Sequence, residues 1–222
     1  MPTRVDVTSR SLADRLWHAL GAQLRQPDGM LGVLVGRLMV LANAGPYRHA
    51  LAALDILPGD RVLEVGFGPG AALGAIVDRG AVQVCGLEPS NPLIAAARRR
   101  FSQLIASGRM DLVQGALPRM PWAQATFDRI LLVNVLYFLD PERGDLAVLR
   151  RALRPGGRLV IYATDRDTMR RWPFAGTASH RTYTARECEA ALVDAGFDDR
   201  AIHIQTMTFP FGVTGFLVRA RT

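Results

Sequence analysis

The sequence predicts an α/β fold: a mostly parallel sheet that finishes in an antiparallel hairpin. Three observations carry that expectation. Five short runs rich in Val, Leu and Ile alternate with helical stretches between residues 61 and 163, and such alternation makes βαβ units with parallel strands. A glycine-rich turn, Gly66-Phe67-Gly68-Pro69-Gly70, separates the first run from the first helix. The chain closes on two further strand-like runs joined by Phe209-Pro210-Phe211-Gly212, short enough for a hairpin.

From the N-terminus, Leu12, Leu16, Leu20 and Leu24 recur every four residues within 9–25, joined by Ala13, Trp17 and Ala19. Arg10, Asp14, Arg15 and Arg25 fall elsewhere on the wheel, so this segment reads as an amphipathic helix. Gln26-Pro27-Asp28-Gly29 is a turn. Residues 30–44 predict a second, more apolar helix, and Pro46 can open a third that runs to Leu57. Residues 1–58 are therefore expected to form a helical lid, a substrate- or membrane-contact region, over a domain spanning 59–222. In that domain strands are expected at 61–65, 82–88, 110–113, 127–133 and 158–163, with helices at 71–79, 92–107 and 142–153. After the segment 184–195 come the last two strands, 200–208 and 213–219.

At 222 residues the chain holds one α/β domain and is too short for two catalytic ones. All 27 cationic residues are arginine, against 20 acids, for a net charge of +7. The missing lysine excludes Schiff-base, P-loop-lysine and lysine-base chemistry. Cys85 and Cys188 lack the spacing of a metal site or a disulfide framework, and no metal is expected. The most apolar stretch, 30–42, is broken by Arg37, and a membrane span needs about 20 apolar residues. Residues 1–10 carry no apolar core of a leader peptide, so a cytoplasmic protein is expected, with peripheral membrane contact open to it.

Residues 62–71 are the most informative. A buried strand carrying Glu64 runs into the glycine turn and directly into a helix, so the backbone can come close to a ligand. Gly66-x-Gly68-x-x-Ala71 also matches a dinucleotide fingerprint. Three features argue against that. Glu64 lies two residues before the first glycine, where a carboxylate can meet a cationic amine and would repel a pyrophosphate. Pro69 removes an amide that a phosphate site would use. Nearly 60 residues precede the first strand, whereas many dinucleotide folds begin with it.

From about Gly36 to the C-terminus the sequence resembles the class I S-adenosylmethionine-dependent methyltransferases. Glu64-x-Gly66-x-Gly68-x-Gly70 is similar to their first motif, and Glu88, in Gly86-Leu87-Glu88-Pro89-Ser90, falls where their ribose-binding acid stands. One carboxylate can accept hydrogen bonds from both hydroxyls of a cis-diol. The stretch from Gly115 to Trp122, followed by Thr126-Phe127-Asp128, resembles the adenine segment and fourth strand. Arg154-Pro155-Gly156-Gly157 resembles the turn into the fifth strand, and Ala195-Gly196-Phe197 the element before the last two. The resemblance implies a Rossmann-like seven-stranded sheet and S-adenosyl-L-methionine as cofactor. It implies contacts from Glu64, Gly66, Phe67, Gly68, Gly70, Glu88, Pro89, Ser90, Ala116, Leu117 and Asn134. One departure is Ala116, where the family usually has an acid that contacts the adenine amino group; the Leu117 amide and apolar neighbours would hold the base instead.

Methyl transfer from a sulfonium is an in-line displacement that rests mostly on positioning and exclusion of water. A general base is needed only when the acceptor keeps its proton until attack. No single catalytic residue follows from the sequence; Tyr47, Asn134, Tyr137 and His180 are candidates. Asn134 faces the acceptor or only lines the cofactor cleft, and Tyr137 stacks on substrate or packs. Residues 165–186 hold five arginines against two aspartates, with aromatic residues between them. Arg170, Arg171 and Arg181, with Tyr183, are candidates to bind an anionic acceptor, since guanidinium forks suit phosphate and carboxylate; a solvated basic surface is the alternative. The expected acceptor is small, apolar or amphipathic, as in the quinone-biosynthesis and phospholipid N-methyltransferase branches. The N-terminal helix would contact an anionic membrane or simply pack on the core. An RNA or ribosome methyltransferase is the alternative, though no RNA-binding module or basic arm is present. A cofactor-binding protein without catalysis is the third reading.

Overall fold

The computed structural model describes residues 43–140, 142, 144–172 and 181–222. The helix expected at 9–25, almost all of that at 30–44, and His180 lie outside these residues.

Helix α1 (Ala44–Leu54) precedes seven strands that form one sheet: β1 (Arg61–Val65), β2 (Gln83–Glu88), β3 (Met110–Gln114), β4 (Phe127–Val133), β5 (Leu153–Thr164), β6 (Ile202–Phe209) and β7 (Val213–Arg221). Their order is β3-β2-β1-β4-β5-β7-β6. Pairs among the first five are parallel, and β7 runs antiparallel to both β5 and β6. Parallel neighbours need crossovers, supplied by α2 (Ala71–Asp78), α3 (Asn91–Arg100) with the short α4 (Ser102–Ala106), and α5 (Asp145–Ala152). After β5 come α6 (Arg166–Met169) and α7 (Ala185–Asp194). This is the seven-stranded, mostly parallel, Rossmann-like sheet expected from the sequence.

Side-chain alternation along the strands builds two cores. Ile130, Leu132, Leu159 and Ile161 face α5 and α7, where they meet Leu149, Cys188 and Leu192. Leu131, Val160 and Tyr162 face the other way, onto α1, α2 and α3. Both faces of β4 and β5 are therefore apolar, which is why these strands read as near-continuous hydrophobic runs. Within the segment expected as a lid, Ala50, Leu51 and Leu54 of α1 are buried against the sheet.

Several boundaries differ from expectation. Ala44 belongs to α1, not to the end of a preceding helix; Pro46 sits in its first turn, where no intrahelical amide is required. α1 stops at Leu54 because Asp55 turns left-handed (φ 53°). The helix expected at 92–107 breaks at Phe101, whose φ of −107° carries its buried ring back toward Gly70 and Gly74. β5 begins at Leu153, pairing with Phe127 before a register shift, so the Pro-Gly-Gly turn is an irregularity inside the strand. Among the described residues no helix is long and apolar enough to cross a membrane.

Candidate cofactor and acceptor cleft

Strand order reverses beside β1, with β2 and β3 on one side and β4 and β5 on the other. Open α/β sheets bind ligands at such a switch point, outside the carboxyl ends of the strands. A cleft of about 250 Å³ opens there, between the loops that follow β1, β2, β3 and β4.

The glycine turn forms its floor. Gly66 has φ +64°, and a Cβ on it would lie 2.6 Å from Val135 Cγ2, so only glycine lets the β1 and β4 ends approach this closely. Gly68, at φ +54°, has open space where a side chain would stand. Gly70, also left-handed, is the N-cap of α2. Phe67 points away from the cleft and is fully buried in the sheet core.

Glu88 ends β2 and is buried. Its Oε2 accepts the Gly68 amide at 2.9 Å and its Oε1 accepts the Ser90 amide at 2.9 Å. These bonds tie the carboxylate to the turn and to the start of α3. Each oxygen keeps lone-pair capacity for a hydroxyl. Burial still raises its pKa, against the lowering effect of the two amides.

Glu64 is more unusual. It is 1% exposed, and neither carboxylate oxygen has a hydrogen-bond partner among the described residues. Burial pushes its pKa from 4.5 to about 8; the nearby Tyr47 hydroxyl offsets part of this and the Glu88 charge adds to it. Tyr47, on α1, lines the cleft beside Glu64, and its own pKa is raised by burial and by the two glutamates.

Gly115, Ala116 and Leu117 line the side beyond Glu88. Leu117 opens a 3-10 turn, so its amide has no partner within that turn. Of the residues expected to bind cofactor, Gly66, Gly68, Glu88, Pro89, Ala116, Leu117 and Asn134 line the cleft. Glu64, Phe67, Gly70 and Ser90 are not among its lining residues.

A polar hub, invisible to local sequence reading, stands at the end of β4. Asn134 has a left-handed backbone (φ 56°), and its amide donates to Tyr162 O at 2.8 Å. Its side-chain oxygen accepts from the Tyr137 hydroxyl (2.8 Å), the Thr164 amide (3.1 Å) and the Thr164 hydroxyl (3.2 Å). Its Nδ2 donates to Asn43 Oδ1 at 2.8 Å, joining the N-cap of α1 to the cleft. Tyr137 is buried, also contacts the Thr164 backbone and does not line the cleft; it fixes Asn134. Burial raises its hydroxyl pKa, so it is a neutral partner.

The candidate anion-binding residues are split. Arg181 and Tyr183 line a separate hollow of about 430 Å³ between α5 and α7. Arg166 there is already bound to Thr182 O (2.7 Å) and Glu187. Arg170 and Arg171 lie on and just after α6, beside the turn from β6 to β7. None of the four lines the cofactor cleft.

A buried carboxylate lacking a donor, a glycine with open space above it and a second carboxylate at the neighbouring strand end fit S-adenosylmethionine. The donor set matches its chemistry: Glu64 for a cationic amine, Glu88 for a ribose diol, and an apolar wall for adenine. Fold and cleft together are those that the resemblance to class I, S-adenosylmethionine-dependent methyltransferases implies. Comparison with known proteins agrees, since residues 62–157 match the family described as a methyltransferase domain. Two curated relatives are informative. The uncharacterized methyltransferase YdaC of Bacillus subtilis is 26% identical over 79% of this chain and 92% of its own length. The demethylmenaquinone methyltransferase of Beutenbergia cavernae is 33% identical over 51% of this chain and 45% of its own. Apart from YdaC, the chain spans half or less of the length of these curated relatives. The N-methyltransferase NodS of Bradyrhizobium japonicum, solved with S-adenosyl-L-homocysteine, shares the fold. Its TM-score is 0.64 at 19% identity, over 81% of this chain and 86% of that one.

Proposed function

We propose that this chain transfers the methyl of S-adenosylmethionine to a small apolar or amphipathic acceptor, such as a quinone-like lipid or a phospholipid headgroup. The observation that carries the reading is the cleft wall beyond the cofactor-binding turn. Val135, Phe138 and Leu139 make it apolar, while Asn43, Asn134 and Tyr47 give it a small polar end. The likeness to demethylmenaquinone methyltransferases supports a quinone-like acceptor.

When bound, S-adenosylmethionine supplies an electrophilic methyl on a sulfonium. The chain's part is positional. Glu88 would hold the ribose, the Leu117 amide the adenine, and Glu64 would answer the charge of the amine next to Tyr47. Asn134, clamped by Tyr137 and Thr164, would set the β4 end against the acceptor. Apolar walls exclude water and with it hydrolysis. Residues 1–58 would form the acceptor-facing or membrane-facing part, and residues 59–222 the cofactor domain.

The test is methyl transfer from labelled cofactor to separate pools of small quinones and phenols, lipid extract and RNA. Label in the first or second supports the proposal. Label in RNA alone overturns it in favour of the second reading, which the net charge of +7 favours. Binding of cofactor with no transfer to any pool would leave a non-catalytic binder.

A further inference from the structure

The β6–β7 turn places two phenylalanines in opposite environments. Phe209 folds inward: its ring lies edge-on to His49 of α1 at 6.0 Å and to the buried Tyr162 at 5.7 Å. Phe211, two residues on, is 101% exposed, and its φ of 62° puts it in the left-handed region. That backbone strains any residue with a Cβ other than asparagine or aspartate, and among the described residues no burial of the ring compensates it. Among the described residues nothing covers this ring, so its strained backbone has no folding rationale there. It is what a surface-inserting residue looks like.

The surroundings supply the second, independent observation. β7 starts where β5 ends, with Gly215 paired to Thr164, so the turn sits on the same rim of the sheet as the cleft. It is two strand spacings along that rim from Asn134, roughly 10 Å. Arg171 braces it from below: Nη2 donates to Gly212 O at 2.6 Å and to Thr168 Oγ1 at 3.1 Å. Thr168 in turn meets the Thr214 hydroxyl at 2.8 Å. Arg170 precedes Arg171 in sequence, is exposed, and approaches the exposed Asp167 at 4.0 Å. The turn is thus braced, with an aromatic tip, the Arg171 guanidinium behind it and the exposed Arg170 one residue earlier in the chain.

We infer that this turn docks the cleft rim onto an anionic lipid surface, Phe211 entering the headgroup–acyl boundary while Arg170 and Arg171 lie at the level of the phosphates. The layering fits a bilayer interface, where an apolar tip goes deepest and cations remain at the charged plane. A protein partner would instead call for a continuous complementary patch rather than one projecting ring. The inference deepens the proposed function, resting on its amphipathic acceptor: the cleft mouth would meet the surface from which such an acceptor is drawn.

Flotation of the full chain with phosphatidylglycerol–phosphatidylcholine vesicles, against phosphatidylcholine alone, tests it. The wild type floats with the anionic vesicles. Phe211→Asn lowers the bound fraction about tenfold, since the buried ring is lost. Asparagine tolerates the left-handed backbone, so the same variant melts no lower than wild type and binds S-adenosylhomocysteine equally well. Arg170→Gln weakens binding about fivefold. Equal flotation of wild type and Phe211→Asn overturns the inference, as does a wild type that stays unbound, or self-association that disappears in Phe211→Asn. Failure of the function is read separately: flotation without methyl transfer to lipid leaves the docking turn standing, and transfer without flotation removes it.

Discussion

Glu64 couples the cofactor site to pH. Its folded pKa of about 8 exceeds the ordinary 4.5, so the folded chain holds a proton that the unfolded chain releases. The linked stability is complete below pH 4.5 and is lost as pH rises through about 8. A cationic amine brought beside the carboxylate favours its ionised form, so binding should expel that proton. Affinity for S-adenosylhomocysteine is then expected to climb with pH below about 8, by up to about tenfold per unit, and Glu64→Gln to flatten the dependence. Calorimetry in buffers of different ionisation heat measures the released proton directly; none released by the wild type would contradict this. Asn134 holds four side-chain hydrogen bonds at the cleft edge. Asn134→Ala breaks them and leaves a β-carbon on a left-handed backbone, for a loss of about 2–4 kcal/mol seen in denaturant unfolding. Glu64 and Glu88 were legible in the sequence because strand, turn and acid are contiguous or one βα unit apart. Asn134's clamp was not, since its partners Asn43 and Thr164 lie 91 and 30 residues away.

Among the elements, the turn after β1 depends on contact with the turn after β4. Gly66→Ala drives a methyl to 2.6 Å from Val135 while φ stays at +64°, so it should abolish cofactor binding. Val135→Ala alone should be mild. In the double variant the clash is removed but the left-handed strain remains, so binding should return in part, and a double-mutant cycle by titration calorimetry should show coupling of about 1 kcal/mol or more. Full additivity would mean the two loops do not touch in solution. Strands β1 to β4 were readable because burial on both faces leaves unbroken apolar runs. The break at Phe101 was not, because nothing local distinguishes that aromatic from its helical neighbours; its ring is pulled out of the helix line by space beside Gly70 and Gly74. The early start of β5 was equally hidden, since pairing of Leu153 with Phe127 is a tertiary event.

For the whole molecule, the all-arginine charge divides unevenly. Thirteen of the 27 arginines lie in residues 141–222, against nine acids. The structure disperses those described: Arg129, Arg154 and Arg158 brace strand ends through Asp60, Asp128 and Asp55, Arg166 is held by Glu187, and Arg171 braces the β6–β7 turn. Among the described residues no arginine lines the cleft. On the proposed reading, the cleft, with its apolar walls and two buried glutamates, takes a cation and a diol at its base and an apolar acceptor at its mouth. The most direct test of that account is titration of S-adenosylhomocysteine into the wild type and Glu88→Gln. One equivalent should bind the wild type, and the variant should bind at least about tenfold more weakly, having lost charged hydrogen bonds to the ribose. Equal affinities, or no binding to the wild type, would contradict the account.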